Sequence, residues 1–445
     1  LTAPGSRPPL RKVAIVNTAD EGGGAERMSL AVLDGFADLG IETWLLVGDK
    51  KTAHPGVMPF YLSPFVDYRS RDLSRTALAA RRRVTHWLGL EDFGHPYSRR
   101  ILELTGSPPD LVLCHNLHGG YFDLRVLPAL SRRVPVVVRL FDSWLLTGHC
   151  AYALGCPRWQ SGCGRCPDLT IPPAIRRDAT RVNWWRKRRI LSGARLYVSA
   201  ESRWMLDRAR ESLLAPAVAE WKLIPGGVDL ATFSPGPQLA ARREWGLPPD
   251  ASILLNVANA GPENPLKDFP TIRQALGKLG GREPGRPTVL LAAGADGPDE
   301  PVGPGLVVRR LGYIRSPARL ASLYRAADVY VHAAVEETFG LSVAEALASG
   351  LPVVTASRGG VLEIVEHERT ALVVPPGDAG ALADALARLL DDPARRAAMG
   401  AAAAASARAR LDRRTMVQAL HDWCADIHAR WHARRHARWP DGGSG

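Results

Sequence analysis

No stretch of this 445-residue chain approaches about eighteen consecutive apolar residues, so a membrane-spanning helix is not expected. No apolar segment precedes the first strand-like run at 13–18, so no secretory signal is expected either. Cysteine is scarce. There are six, four of them between 150 and 166, too few and too local for the disulfide scaffold of a secreted protein. A reducing, cytoplasmic setting is the expectation. The first glycine-rich loop lacks both the G-x-G-x-x-G dinucleotide fingerprint and the Gly-Lys-Ser/Thr ending of a Walker loop. No Asp-x-Asp pair is present to carry a metal, and no catalytic metal is expected.

Positive charge is abundant and uneven. The formal net charge is +12, and residues 1–222 hold 32 Lys and Arg against 21 Asp and Glu, while residues 223–445 hold 25 against 24. A compositional bias of the genome would act on both halves, so the basic first half points to an anionic partner: phosphates or lipid head groups. Nucleic acid is not expected, because no recognised binding motif accompanies the charge.

Short β-branched runs alternate with amphipathic stretches: VAIVNT (13–18), TWLLVG (43–48), LVLCHN (111–116), VPVVVRLF (134–141) and LYVSA (196–200). A second series follows: ILLNVAN (253–259), TVLLAAG (288–294), LVVRRLG (306–312), VYVHAA (329–334), PVVTAS (352–357) and ALVVPP (371–376). Near-continuous apolar strands separated by helices predict parallel sheets covered on both faces. The series occurs twice, which predicts an α/β protein of two Rossmann-like doubly wound domains facing a cleft. The expected boundaries are 10–222, with a Cys-rich loop at 147–168, and 223–412. A terminal helix at 413–439, bearing Trp423, Trp431, Trp439 and Arg430, Arg434, Arg435, Arg438, is expected to pack back on the first domain.

Two loops carry chemistry. Gly22, Gly23 and Gly24 stand between the first strand and the first helix, where backbone N–H groups at a helix N-terminus attract anions. A plain tight turn is the alternative. The second loop is Glu336-Glu337-Thr338-Phe339-Gly340-Leu341, which opens the helix containing Glu345. Two carboxylates eight residues apart at a helix N-terminus can accept hydrogen bonds from sugar hydroxyls.

This second loop, with the following LASGLPVVTASRGGVLEIVEHERTALVVPPGDAGALADAL, resembles the retaining family 4 glycosyltransferases of GT-B fold. GGGAERMS, ESRWM (201–205), IPGGVDLATFSP (224–235) and LGYIRSPARLASLYRAADVYVHAA (311–334) extend the likeness over most of the chain. The resemblance implies transfer of a sugar from a nucleotide-diphosphate sugar to an acceptor hydroxyl, with retention of anomeric configuration. Glycan, glycolipid and natural-product synthesis are the settings it leaves open, and the acceptor is unknown, with a lipid-linked one among the candidates. It implies that Glu345 holds the ribose and that Glu337 meets the donor sugar. Phe339, Gly340 and Leu341 would line sugar and phosphate, Gly312 and Tyr313 the nucleobase, and Lys267 the diphosphate. A sugar-nucleotide epimerase of similar fold is the rival enzyme, and an inactive sugar-nucleotide or polyanion-binding protein is the rival outside catalysis.

Two positions depart from the family. The stretch Asn256-Val257-Ala258-Asn259-Ala260-Gly261 lacks the Arg common ahead of Lys267, and Phe141 stands where a His commonly precedes Asp142. His118 is the expected substitute for that His, with His115 and His149 as neighbours. Cys150, Cys156, Cys163 and Cys166 read C-x5-C-x6-C-x2-C, which suggests a structural zinc knot, with two disulfides or four free thiols as alternatives. Arg176, Arg177, Arg181 and Trp184-Trp185-Arg186-Lys187-Arg188-Arg189 form a basic helix with tryptophans, and Arg81-Arg82-Arg83 with Trp87 a second. Both suggest peripheral contact at the inner face of a membrane.

Overall fold

The computed structural model describes residues 9–61, 75–91, 94–259, 264–279, 287–294 and 296–438. Two compact units account for the chain: Leu1–Ile224 with Val417–Gly445, and Pro225–Met416.

In unit 1 the apolar runs form β1 (Lys12–Ala19), β2 (Glu42–Asp49), β3 (Val57–Pro59), β4 (Leu111–Cys114), β5 (Val136–Leu140), β6 (Leu196–Ala200) and β7 (Val218–Leu223). Among the described residues they make a seven-stranded sheet in the order β3-β2-β1-β4-β5-β6-β7, each neighbouring pair parallel. Its helices are α1 (Gly24–Asp38), α2 (Arg75–Trp87), α3 (Leu127–Arg133), α4 (Arg158–Ser161), α5 (Thr180–Leu191) and α6 (Arg203–Arg210). Burial on both faces explains the unbroken hydrophobic runs: Ala14, Val16, Val136 and Val138 serve one core, and the alternating Val13, Ile15 and Val137 are equally buried.

Unit 2 holds β8 (Ser252–Val257), β9 (Thr288–Ala293), β10 (Glu300–Gly303), β11 (Leu306–Arg310), β12 (Val329–His332), β13 (Val353–Thr355) and β14 (Ala371–Val373). The sheet order is β10-β11-β9-β8-β12-β13-β14. Its helices are α7 (Gln238–Glu244), α8 (Phe269–Leu279), α9 (Pro317–Ala326), α10 (Leu341–Ala348), α11 (Ala379–Leu390) and α12 (Pro393–Arg410). One strand departs from the all-parallel expectation. Only Pro304 and Gly305 separate β10 from β11, and so short a link permits only the antiparallel pairing observed.

The last helix, α13 (Arg413–Arg438), starts in unit 2, and from Val417 onward it belongs to unit 1. Val417 packs so closely on Gly35 of α1 that a Cβ there would lie 2.6 Å from it. Trp423 Nε1 donates to Glu220 Oε1 at 2.6 Å and Arg430 to Glu220 Oε2 at 2.7 Å, fastening the helix to β7. Trp439 and the side chains of Arg435 and Arg438 lie outside the described residues.

Candidate active site

Each sheet reverses its winding once, between β1 and β4 in unit 1 and between β8 and β12 in unit 2. Loops leaving the carboxyl ends of strands at such a point diverge and leave room for a ligand. Lys267 and Glu337 fall at the second of these places and Gly22, Gly23, Gly24 and His118 at the first, whereas Gly312 and Tyr313 follow β11 and the four clustered cysteines follow β5.

In unit 2, Lys267 ends a short 3-10 turn, Pro265–Lys267, after β8, and Glu337 lies on the loop after β12. Val335 N–H donates to Leu266 C=O at 3.0 Å, joining the two loops. The Glu337 backbone is tied to the loop after β13, its N–H to Arg358 C=O at 3.0 Å and its C=O to Gly360 N–H at 2.8 Å. So held, Glu337 accepts a hydrogen bond from the Lys267 ammonium. Burial opposes charge on Glu337, but Lys267 and His332 outweigh it and keep the carboxyl below its ordinary value. His332, at the end of β12, places Nε2 3.8 Å from Glu337 Oε1.

Three residues on, Gly340 caps α10 in the left-handed region (φ 86°), where a Cβ would also press on Val361 at 2.9 Å. Phe339 is buried, with Gly226 against its ring. Leu341 begins the helix, half-buried. Glu345 is wholly inaccessible, and its Oε2 accepts from Tyr324 Oη of α9 at 3.0 Å. That tyrosine, to which the sequence analysis gives no role, also donates to Ser342 C=O at 3.1 Å. Gly312 has φ 48° and leaves no space for a Cβ beside Asp296, while Tyr313 is exposed with Arg315 over its ring.

In unit 1, Thr18 Oγ1 donates to the carbonyls of Asn116 and His118 at 3.3 and 3.1 Å, stitching the ends of β1 and β4 together. His118 Nε2 lies 2.9 Å from Asp142 Oδ2, whose other oxygen accepts from Trp144 N–H at 2.8 Å. Burial works against charging His118, but Asp142, with a smaller contribution from Glu26, holds the imidazole above its ordinary value. The glycine loop differs from expectation. Glu26 reaches back to accept from Gly23 N–H at 2.7 Å, so a carboxylate occupies one donor that Gly22, Gly23 and Gly24 were to offer an anion. The spacing Gly23-x-x-Glu26 is that of a capping acid at the third helical position and was visible in the sequence.

The other two histidines have other duties. His115 is buried with Nδ1 2.7 Å from Ser29 Oγ, and burial together with Arg139 pushes it well below its ordinary value. Phe141 packs edge-on against it at 5.0 Å. His149 Nε2 lies 3.4 Å from Cys166 Sγ.

Cys150, Cys156, Cys163 and Cys166, the residues of the expected zinc knot, form no disulfide. All four thiols are free, and among the described residues no group of three or more His, Cys, Asp or Glu is placed to hold a metal. The sulfurs are satisfied singly: Cys163 accepts from Gly148 N–H at 3.2 Å, and Cys166 donates to Asp168 C=O at 3.3 Å. Burial pushes the thiol of Cys150 up to about 12 and that of Cys163 to about 11. Beneath this loop the basic helix is also amended. Trp184 and Lys187, three apart on α5, face inward; Lys187 is fully buried, paired with Glu91 at 2.8 Å and donating to the carbonyls of Trp144 and Thr147. Arg181, Val182, Trp185, Arg188 and Arg189 remain exposed, as do Arg81, Arg83, Trp87 and Arg177, whose guanidinium lies 3.5 Å over the Trp87 ring. The side chain of Arg82 lies outside the described residues, as do Ala260 and Gly261. No helix among the described residues is long and apolar enough to cross a membrane.

Residues 302–406 match the family model described as glycosyl transferases group 1. The D-inositol 3-phosphate glycosyltransferase 2 of Catenulispora acidiphila is 41% identical over 187 residues, 39% of this chain and 43% of that protein. The D-inositol 3-phosphate glycosyltransferase of Kineococcus radiotolerans is 38% identical over 227 residues, 46% of this chain and 50% of that one. The chain thus spans about half the length of these curated relatives or less. Among solved structures, sucrose-phosphate synthase from Thermosynechococcus elongatus superposes with a TM-score of 0.64 at 19% identity, covering 94% of this chain and 100% of that one. Anabaena Alr3699/HepE in complex with UDP-glucose gives 0.64 at 17%, covering 93% and 99%. Residues 302–406 are thus similar to the group 1 glycosyltransferases, and the two sheets share the fold of these solved structures.

Proposed function

We propose that the protein transfers a sugar from a nucleotide-diphosphate donor to an acceptor hydroxyl with retention. The observation that carries this is the pairing of Lys267 with Glu337 at the winding reversal of unit 2, beside the N-terminus of α10. An ammonium there neutralises the diphosphate as it leaves, a carboxylate there accepts from sugar hydroxyls, and helix N–H groups favour phosphate. Glu345, oriented by Tyr324, holds the ribose, and Gly312 and Tyr313 flank the base. The bond between the anomeric carbon and the β-phosphate oxygen breaks, and the acceptor oxygen bonds that carbon on the same face. The acceptor proton passes to the leaving phosphate. His118, held by Asp142, offers a hydrogen-bond donor at the winding reversal of unit 1.

UDP-glucose is the first donor to try, since the HepE neighbour binds it, and D-inositol 3-phosphate the first acceptor, given the names of the relatives. The test is release of nucleoside diphosphate across a panel of UDP-, GDP- and ADP-sugars, with NMR of the new linkage. Acceptor-dependent release with an unchanged anomeric configuration supports the reading. Conversion of the donor sugar without any acceptor would instead favour epimerisation. The exposed arginines and Trp185 on α5, with Arg177 and Trp87 beside α2, fit anionic lipid head groups and support a lipid-linked acceptor presented at a membrane surface.

A further inference from the structure

His332 is a polar residue in a strand that otherwise reads as core. Its ring is clamped: it stacks on Tyr330 at 6.2 Å between centroids and 19° between planes, and Tyr330 Oη donates to Val257 C=O at 3.2 Å. The backbone is equally fixed, pairing with Thr355 of β13. The side chain is only 3% exposed, yet Nε2 has no hydrogen-bond partner among the described residues. An orphaned polar atom in such a place costs stability and calls for a reason. Glu337 Oε1 lies 3.8 Å from Nε2, about 1 Å beyond hydrogen-bonding distance.

Lys267 donates to that same oxygen of Glu337. A diphosphate bound at Lys267 competes for the ammonium. Once Lys267 turns to it, Glu337 is a buried carboxylate losing its counter-ion, a state that is strongly unfavourable without a new donor. We infer that His332 is a positioning residue for Glu337: its Nε2–H takes the carboxylate as Lys267 turns to the diphosphate, leaving Glu337 fixed for the donor sugar. The inference rests on the proposed function. Burial and the Lys267 charge push the imidazole down, Glu337 pushes it up, and the result is about 4, so the ring is neutral at neutral pH. A neutral donor satisfies Glu337 without cancelling its charge. The strand's carboxyl end and the loop five residues on bring the two groups together.

A double-mutant cycle separates this role from a merely structural one. UDP, GDP and ADP are titrated calorimetrically into the full chain as wild type, His332→Leu, Glu337→Gln and the double variant. His332→Leu is expected to weaken the diphosphate that binds by about tenfold, and by less than about twofold when Glu337→Gln is already present. His332→Gln, whose amide is also a neutral donor, is expected to stay within about threefold of wild type and serves as the test if the leucine variant does not fold. Equal losses in both Glu337 backgrounds, no loss in either, or a folded His332→Gln as weak as His332→Leu would overturn the inference. Failure of wild type to bind any of the three would overturn the proposed function itself, a separate outcome.

Discussion

Lys267 and Glu337, seventy residues apart in sequence, form an ion pair where the winding of the second sheet reverses between β8 and β12. The pair is a contest as well as a bond, because the ammonium that a diphosphate needs is engaged by the carboxylate that a sugar needs. Replacing Glu337 by Gln releases the ammonium. Glu337→Gln should therefore bind the nucleoside diphosphate several-fold tighter than wild type while turning over about a hundredfold more slowly, the scale for losing one preorganised polar contact to the transition state. Calorimetry beside initial rates checks both halves, and weaker binding with normal turnover would refute the assignment.

Glu345 and Tyr324 form the ribose end of the same site. Glu345→Ala should cost about 1.5–3 kcal/mol of nucleotide affinity, the range for a hydrogen bond to a charged group. Tyr324→Phe keeps the ring packed against Phe233 and removes only the hydroxyl, so it should weaken nucleotide less than Glu345→Ala. A larger loss from Tyr324→Phe than from Glu345→Ala would show that the tyrosine, not the carboxylate, meets the nucleotide.

The His118–Asp142 contact gives stability a definite pH sign. Burial opposes protonation of His118 and Asp142 favours it more strongly, so the folded value lies above the unfolded one of about 6.5. The native state then binds the proton more tightly, and the contribution is complete below about pH 6.5 and disappears as pH rises through the folded value. Melting temperatures of wild type and Asp142→Asn should converge between about pH 6 and 8.5. A difference that is constant over that range would mean His118 stays neutral.

Much of this was legible in sequence. The eleven anticipated strands rest on apolar runs whose burial on both faces demands them, and the Glu337–Glu345 spacing marks a loop and a helix that lie as expected. What escaped notice depends on long-range partners. β3 is a three-residue edge and β7 an edge strand, VAEWKL, with no fully buried residue, so neither shows an unbroken apolar run. His118 meets Asp142 only because β4 and β5 are neighbours, and His332 hides within an apolar run. Lys187 read as part of a charged face because nothing local shows that Glu91 waits beneath it.

The exposed face of α5 makes a prediction independent of the active site. Trp185 is 60% exposed between arginines. Wild-type protein should sediment with vesicles containing anionic lipid and lose that association in about 1 M salt. Trp185→Ser combined with Arg188→Glu and Arg189→Glu should abolish sedimentation while leaving nucleotide affinity unchanged. Equal sedimentation of the triple variant would remove this face from the account.

The central claim is that Lys267 holds the diphosphate of a sugar nucleotide and stabilises it as it leaves. Its most direct test is to titrate UDP, GDP and ADP into wild type and Lys267→Ala and, with the donor so identified, compare turnover at saturation. The account predicts that wild type binds at least one diphosphate with Kd below about 1 mM. It predicts that Lys267→Ala weakens binding and lowers turnover further still, by about a hundredfold or more, because charge on the phosphate grows as the sugar departs. Near-wild-type binding and turnover by a folded Lys267→Ala would contradict it.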